Sequence, residues 1–312
     1  MTEYFLGVDG GQSGATAAIG DESGRVLGVG RAGPSNNPGD PEAQSKFVEA
    51  ITAALRAACA SAGLDAATVR FSSACLGLSG GASGKEAILK RIIPADRLRV
   101  TDDADIALSG ALAGKPGIVV AAGTGAIAFG RDAQGRTARS GGWGYLLGDE
   151  GGGFWIAREA IRTALRFEEG WGPSTVLRAM LLDATRSRNM NALMHRCYLP
   201  EFPRARIASL AFLVNAAAES GDPTARQILG DTARELVTLA LAVRDQLFDP
   251  AEQVRCSHAG GVFRSRILRD NFRAGIGRQL GLEAVVPLYD GATGALLEAY
   301  RAAGLSLFRY SD

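Results

Sequence analysis

One pattern occurs twice in this chain of 312 residues, and it restricts the possible folds more than any other feature. In each copy, two apolar stretches of strand length flank a glycine turn, and a tight polar turn follows them. A shift of 111 positions places Ser13-Gly14 on Thr124-Gly125 and Asp21 on Asp132. Such a repeat is typical of two related domains, so a chance similarity between two hairpins is the weaker interpretation.

Helix and strand signals set the domain limits. Short apolar runs alternate with helical periodicity from Tyr4 to Leu112, and the pattern restarts after Gly114-Lys115-Pro116. The second half then becomes mainly helical and closes with a strand, a glycine turn and further helices. We therefore predict an α/β chain with domains at residues 1–114 and 115–312, the second carrying helical insertions.

Composition excludes several functional classes. The chain has 34 Lys and Arg against 33 Asp and Glu, so no basic surface for nucleic acid is indicated. Its longest strongly apolar stretch is far shorter than the roughly 20 residues that cross a bilayer, and no signal peptide is visible. The four cysteines have no CxxC spacing, which is typical of thiols in a reducing compartment. We predict a cytoplasmic protein that binds neither nucleic acid nor membrane.

The two glycine turns of the repeat predict an anion site. They are Gly10-Gly11-Gln12-Ser13-Gly14 and Gly123-Thr124-Gly125. Backbone N–H groups at such turns converge on an anion, and the Ser13 and Thr124 hydroxyls add donors. Asp9, at the strand end before the first turn, is placed to hold Mg²⁺. Either turn alone is more simply an ordinary hairpin, but both turns together with Asp9 favour a nucleotide and its Mg²⁺.

Two neighbouring carboxylates mark the start of a predicted helix. Asp102-Asp103-Ala104 follows a predicted strand. An Asp at that place either caps the helix or acts as a general base. One carboxylate can cap while the other accepts a proton, so both interpretations stand together.

Two short motifs are similar to active-site signatures without completing them. Gly77-Leu78-Ser79-Gly80-Gly81 fits the nucleophile elbow of serine hydrolases, but no helix is predicted directly after it. A plain glycine turn is the preferred interpretation, and a serine hydrolase is a distant alternative. Gly84-Lys85 lacks the earlier glycine and the following Ser or Thr of a P-loop.

Residues 141–153 form the most distinctive segment. It contains seven glycines around Trp143 and Leu146-Leu147. These apolar side chains indicate that the loop is ordered rather than disordered. A helix that begins after it is expected to turn its N–H groups toward a ligand.

Together these segments resemble the N-acetylglucosamine kinase family, of the BadF/BadG ATPase type, within the superfamily of sugar kinases, actin and heat-shock chaperones. The resemblance covers almost the whole chain, and the Trp143 segment is its most specific motif. The motifs are Asp9-Gly10-Gly11, Ser35-Asn36-Asn37, Leu76-Gly77-Leu78-Ser79-Gly80, Thr101-Asp102-Asp103-Ala104, Gly123-Thr124-Gly125, Gly142-Trp143-Gly144 with Asp149, and Gly260-Gly261-Val262-Phe263. The resemblance implies two ribonuclease-H-like (actin-like ATPase) domains around a central cleft that closes over ATP and an amino sugar. It also implies phosphoryl transfer to the sugar 6-hydroxyl.

Individual residues take roles from this resemblance. Asp103 matches the catalytic base and also contacts the sugar. The other residues that match sugar contacts are Asn37, Gly142, Trp143, Gly144 and Asp149. The residues that match the ATP side are Ser13 and Thr124 at the phosphates, with Gly10, Gly11, Gly123 and Gly125 in their turns, and Gly260, Gly261 and Ala208 at the adenosine. Gln12-Ser13-Gly14 departs from the frequent Gly-Thr-Lys, although Ser13 keeps the hydroxyl.

Several alternatives stay open. We expect N-acetylglucosamine as the substrate, with glucosamine or a general hexose as the alternative, and a homodimer. The activating ATPases of benzoyl-CoA reductase and 2-hydroxyacyl-CoA dehydratase are similar, but paired cysteines hold a [4Fe–4S] cluster in them. No such pairing is visible among Cys59, Cys75, Cys197 and Cys256. A non-catalytic sugar sensor is disfavoured because Asp9 and Asp103 are both present.

Overall fold

The chain forms two compact units in the computed structural model. The residues that the structure describes are 2–12, 14–35, 41–81 and 83–305. The first unit combines Met1–Gly117 with Val286–Asp312, and the second unit is Ile118–Val285. The second unit therefore differs from the domain predicted at residues 115–312, because the chain returns to the first unit at Val286.

The two units share one set of element labels in chain order. The strands are β1 (Tyr4–Gly10), β2 (Ala15–Asp21), β3 (Val26–Ala32), β4 (Ser73–Leu78), β5 (Leu98–Asp102), β6 (Gly117–Ala122), β7 (Ala126–Arg131), β8 (Thr137–Gly141), β9 (Val254–Ala259) and β10 (Leu282–Ala284). The helices are α1 (Pro41–Ala62), α2 (Glu86–Ile92), α3 (Asp103–Ala111), α4 (Gly153–Glu168), α5 (Leu177–Thr185), α6 (Met190–Cys197), α7 (Arg204–Ser209), α8 (Ala211–Glu219), α9 (Pro223–Leu247), α10 (Arg266–Gly277) and α11 (Gly291–Ala302). A short 3₁₀ helix spans Gly261–Arg264.

Each unit is built on a five-stranded sheet, and the two sheets have the same strand order. The first sheet is ordered β3-β2-β1-β4-β5 and the second β8-β7-β6-β9-β10. In the first, β1 runs antiparallel to β2 and parallel to β4, and β4 runs parallel to β5. In the second, β7 and β8 are antiparallel, whereas β6, β9 and β10 are parallel. The α/β fold of two related domains predicted from the repeat is confirmed, and so are the ribonuclease-H-like domains that the resemblance implies.

Glycines explain why the last helix belongs to the first unit. A Cβ at Gly7 on β1 would lie 2.2 Å from the Leu296 nitrogen of α11, so only glycine lets this helix reach the sheet. Tyr300 of α11 is buried against the same face of β1. On the other face, a Cβ at Gly30 would lie 2.2 Å from the Ala58 nitrogen of α1. The first sheet is thus covered by a helix on each face, and one of them comes from the end of the chain.

A buried ionic network also holds α11 in the first unit. Glu298 is 1% exposed and accepts hydrogen bonds from Arg99 on β5, Ser109 on α3 and Arg301. Arg99 Nη2 also donates to Asp105 Oδ2 at 2.7 Å. Because removal of one partner would leave a buried charge uncompensated, the network resists undocking of the helix.

The second unit is mainly helical outside its sheet. Its longest helix, α9, is capped by Asp222, whose Oδ1 accepts from the N–H groups of Thr224 at 2.8 Å and Ala225 at 3.0 Å. Within the described part of the chain, none of the helices combines the length and apolar character needed to cross a membrane.

Candidate functional site

The carboxyl ends of parallel strands bring two aspartates to one edge of the first sheet. The register of β1, β4 and β5 pairs Asp9 with Gly77 and Gly77 with Thr101. Asp103 follows β5 directly, as the first residue of α3. Asp9 and Asp103 therefore emerge at the same edge, close enough for their charges to interact. This edge of an α/β sheet is where ligands commonly bind.

Asp9 is partly buried in a place crowded with carboxylates. Burial raises its pKa to about 7, and the negative charges of Asp103 and Asp290 add to the effect. Gly291 leaves room for this carboxylate, since a Cβ there would lie 2.5 Å from Asp9 Oδ2. Asp290 caps α11 by accepting from the Thr293 N–H at 2.9 Å. Asp290 lies in none of the sequence motifs, and its position near Asp9 depends on the docking of α11.

The neighbouring residues Asp102 and Asp103 have different surroundings. Asp102 is exposed at the N-cap position of α3, but its side chain makes no capping hydrogen bond. The capping interpretation is therefore wrong for Asp102. Asp103 is half-buried, and its Oδ2 accepts a hydrogen bond from the Ser79 hydroxyl at 2.6 Å. This geometry suits a carboxylate that accepts a proton.

Two residues of the β4–α2 connection belong to the same edge, although the sequence motifs give them no role. The Ser79 hydroxyl donates a hydrogen bond to the Asp103 carboxylate rather than to a histidine, so Ser79 is not the nucleophile of a serine-hydrolase triad. Lys85 is 1% exposed, and its Nζ donates to the Ser79 oxygen at 2.6 Å and the Gly81 oxygen at 2.9 Å. Burial lowers the Lys85 pKa, and the charges of Asp103 and Asp102 oppose that effect.

The first glycine turn is described in part. Two predicted site residues lie outside the described residues: Ser13 and Asn37. The Gly11 N–H donates to the Gly14 oxygen at 2.9 Å and closes the turn. A Cβ at Gly10 would lie 2.7 Å from Ser35 Oγ, so a side chain there would have to displace that of Ser35.

In the second unit, Gly123-Thr124-Gly125 joins β6 to β7. The Gly123 N–H donates to the Gly125 oxygen at 2.9 Å. Asp149 packs against this turn, because a Cβ at Gly125 would lie 2.3 Å from Asp149 Oδ2. Asp149 is 5% exposed, and Arg204 Nη2 lies 3.9 Å from the same oxygen. A predicted phosphate turn and a predicted sugar residue are thus in contact.

The helix after the glycine-rich segment does not present its first two N–H groups to a ligand. The Gly153 N–H donates to the Gly123 oxygen at 2.8 Å, and the Phe154 N–H donates to the Thr124 oxygen at 3.0 Å. The expectation of a ligand at these two groups is therefore wrong, because the turn satisfies them. The same bonds hold the second glycine turn at the start of α4.

The residues predicted at the adenosine lie around the same turn. A Cβ at Gly153 would lie 3.2 Å from the Ala208 oxygen of α7. A Cβ at Gly260 would lie 2.4 Å from the Ala122 oxygen, and the φ of +95° at Gly260 also favours glycine. Gly261, the next residue, faces open space among the described atoms. The end of β6 thus brings the second unit's predicted nucleotide residues together.

The loop between β8 and α4 exposes Trp143. Trp143 is 64% exposed, so its side chain does not belong to the buried core. The Arg139 guanidinium lies 4.9 Å from its ring centroid. Gly142 and Gly144, on either side, have φ values of +72° and +82°. The Gly142 N–H donates to the Ala126 oxygen at 2.8 Å, which supports the prediction of an ordered loop.

The four cysteines lie on four separate elements, α1, β4, α6 and β9. Burial raises the pKa of Cys75 to about 12 and that of Cys256 to about 12. Among the described side chains, no group of three or more His, Cys, Asp or Glu could hold a metal ion.

The chain is similar to known proteins over most of its length. The model of the BadF/BadG/BcrA/BcrD ATPase family matches residues 6–299. An N-acetylmuramic acid/N-acetylglucosamine kinase from Clostridium acetobutylicum is 34% identical over 279 residues, covering 87% of this chain and 89% of the relative. An N-acetyl-D-glucosamine kinase from Dictyostelium discoideum is 31% identical over 281 residues, covering 86% and 88%.

A solved structure agrees with these relatives. A candidate N-acetylglucosamine kinase from Chromobacterium violaceum superposes with a TM-score of 0.78 at 30% identity, covering 95% of this chain and 98% of that one. Fold, sequence identity and family model therefore lead to the same conclusion. The chain belongs to the BadF/BadG/BcrA/BcrD ATPase family.

Proposed function

We propose that the protein is an ATP-dependent kinase that transfers the γ-phosphoryl group of ATP to the 6-hydroxyl of an amino sugar, with N-acetylglucosamine preferred. The family is one of ATPases, and the relatives at 34% and 31% identity bear the names of amino-sugar kinases. One observation carries the reaction type: Asp9 and Asp103 share the carboxyl edge of the first sheet, with Asp103 hydrogen-bonded in place.

In this proposal Asp103 is the general base. Phosphoryl transfer depends on positioning and charge neutralisation more than on covalent chemistry by the protein. The 6-hydroxyl oxygen attacks the γ-phosphorus as Asp103 takes the hydroxyl proton. The bond between the γ-phosphorus and the bridging oxygen breaks, and ADP leaves with that electron pair.

Asp9 suits a magnesium ion bound together with a nucleotide. Mg²⁺ usually keeps several waters and binds one or two carboxylates with the substrate phosphates, so a complete protein cage is not required. Burial and two neighbouring carboxylates raise the pKa of Asp9, and a bound cation would offset this concentration of negative charge. When bound, Mg²⁺ supplies neutralisation of the phosphate charge.

We assign the remaining predicted residues as follows, on the resemblance and on their clustering within the second unit. The turn Gly123-Thr124-Gly125 binds phosphate, and Gly260-Gly261 with Ala208 binds adenosine. Gly142-Trp143-Gly144 and Asp149 contact the sugar. The contact between Gly125 and Asp149 supports this assignment, because it couples the phosphate turn to the sugar loop.

The preferred sugar is tested by a comparison of substrates. We expect kcat/KM for N-acetylglucosamine to exceed that for glucose by at least about tenfold. Glucose lacks the acetamide group, so the polar groups of the site that pair with this group would be left unpaired. Asn37→Ala should lower the value for N-acetylglucosamine and narrow this gap. ADP release with N-acetylglucosamine, glucosamine, glucose and N-acetylmuramic acid measures both effects.

Asn191→Ala, at an exposed position on α6, is the control and should change neither value. Equal use of glucose would replace the proposal by a general hexokinase. A higher kcat/KM for glucosamine would keep the kinase activity but reject recognition of the acetyl group.

The homodimer also stays a prediction, which analytical ultracentrifugation tests.

A further inference from the structure

A serine hydroxyl holds Asp103 by a hydrogen bond, and a buried lysine holds the turn that carries this serine. The Ser79 Oγ donates to Asp103 Oδ2 at 2.6 Å. The Ser79 main-chain oxygen accepts from Lys85 Nζ at 2.6 Å, and the Gly81 oxygen accepts from the same Nζ at 2.9 Å. Lys85 is thus hydrogen-bonded to the main chain of the turn, and the Ser79 side chain of that turn is hydrogen-bonded to Asp103.

The turn that carries Ser79 has little freedom of its own. Gly80 and Gly81 have φ values of +75° and +74°, a conformation that glycine adopts without strain. The Ser79 N–H donates to the Gly10 oxygen at 3.0 Å, which ties the turn to the end of β1. Lys85 reaches back to the same turn from the start of α2, so the turn is held from both sides.

Burial of the Lys85 ammonium group costs free energy and requires compensating interactions. A buried ammonium group is stable only when it is hydrogen-bonded and paired with opposite charge. Lys85 is 1% exposed, and the charges that favour its ammonium form are those of Asp103 and Asp102. A solvent-exposed lysine could not fix the turn in this way, because water would compete for its hydrogen bonds.

We propose that Ser79 and Lys85 are positioning residues for Asp103, an inference that rests on the proposed kinase function. Lys85 fixes the backbone of the turn, and Ser79 keeps Asp103 Oδ2 engaged. The other oxygen, Oδ1, is thereby oriented to take the proton of the attacking hydroxyl. Neither Ser79 nor Lys85 touches the reacting atoms in this arrangement.

The test separates kcat from KM. Ser79→Ala should lower kcat by about 10- to 100-fold, because a base displaced by about 1 Å loses that much rate. KM for sugar and for ATP should stay within about threefold of wild type, and Ser79→Thr should restore most of kcat. Ser23→Ala is the matched control, because Ser23 also donates to an aspartate, Asp21, at 2.5 Å in a turn of the same unit.

A double variant tests whether Ser79 acts through Asp103. If it does, Ser79→Ala should cause no further loss of kcat in an Asp103→Asn background, since residues that act as a unit are not additive. Lys85→Met should lower kcat at least about tenfold, with Lys90→Met as its control because Lys90 is exposed on α2. If Lys85→Met does not fold, the Ser79 variants decide the question.

The outcomes distinguish this inference from the proposed function. Wild type that phosphorylates an amino sugar, with Ser79→Ala above half of wild-type kcat, overturns the positioning role and leaves the kinase in place. Additive losses in the double variant also overturn it. Wild type that phosphorylates no amino sugar overturns both, because Asp103 then has no such hydroxyl to deprotonate.

Discussion

Asp103→Asn is expected to lower kcat by about 10²–10⁴-fold, the usual cost of losing a general base. Asparagine has nearly the same shape and can still accept the hydrogen bond that Ser79 donates at 2.6 Å. It cannot take up the proton of the sugar hydroxyl at neutral pH. KM for the sugar should change much less than kcat, because asparagine keeps the size of the side chain and an oxygen that accepts hydrogen bonds. Steady-state ADP release with saturating N-acetylglucosamine measures both constants.

Asp102→Asn is the matched control. Asp102 is adjacent in sequence and exposed, and its side chain makes no capping hydrogen bond to α3. We expect its kcat to stay within about twofold of wild type, as is usual for surface substitutions. An Asp103→Asn enzyme that keeps more than about a tenth of wild-type kcat would contradict the assignment of the base. An equal loss in both variants would contradict it as well.

Asp9→Asn is expected to lower kcat/KM by about 100-fold and at the same time to stabilise the unliganded protein at pH 8. Folding raises the Asp9 pKa from 3.8 to about 7, through burial and the charges of Asp103 and Asp290. A group with a raised folded-state pKa gives stability that is present below pH 4 and lost as pH rises through 7. A neutral asparagine avoids that loss.

The size of this stabilisation follows from the shift. At about 1.4 kcal/mol per pKa unit, discounted because Asp9 is partly exposed, we expect roughly 1–3 kcal/mol at pH 8. The advantage should grow from pH 4 to pH 7 and then stay constant, which thermal unfolding at several pH values measures. Asp21→Asn is the control, since its hydrogen bond with Ser23 lowers the Asp21 pKa and should give no such gain. A destabilised Asp9→Asn protein at pH 8 would contradict the account.

Local patterns made the core of the fold predictable. The hairpin repeat shows itself in alternating apolar residues and in turn residues such as Asp21 and Asp132, which depend only on near neighbours in the chain. Asp9 could be singled out for the same reason, because it follows a strand signal directly. The local pattern marks Asp102 and Asp103 together, and the family resemblance selects Asp103. Parallel pairing of β1, β4 and β5 then brings Asp9 and Asp103 to one edge.

Long-range packing made other parts unpredictable. Asp290 reaches Asp9 only because α11 returns to β1 past Gly7, almost 300 residues away in the chain. In the sequence, Gly84-Lys85 resembles part of a P-loop. No local pattern shows that the Lys85 side chain is buried and hydrogen-bonded to a turn. The first N–H groups of α4 are satisfied by the turn at Gly123, a contact that is likewise absent from any local signal.

The position of the transferred phosphate tests the central proposal most directly. The protein is incubated with ATP, Mg²⁺ and N-acetylglucosamine, and the product is examined by phosphorus NMR and mass spectrometry while ADP is quantified. We expect one N-acetylglucosamine 6-phosphate for each ADP, with the phosphorus coupled to the two protons on carbon 6. Release of ADP with free phosphate alone, at a rate independent of any sugar, would contradict the account and identify an ATPase that does not phosphorylate sugars.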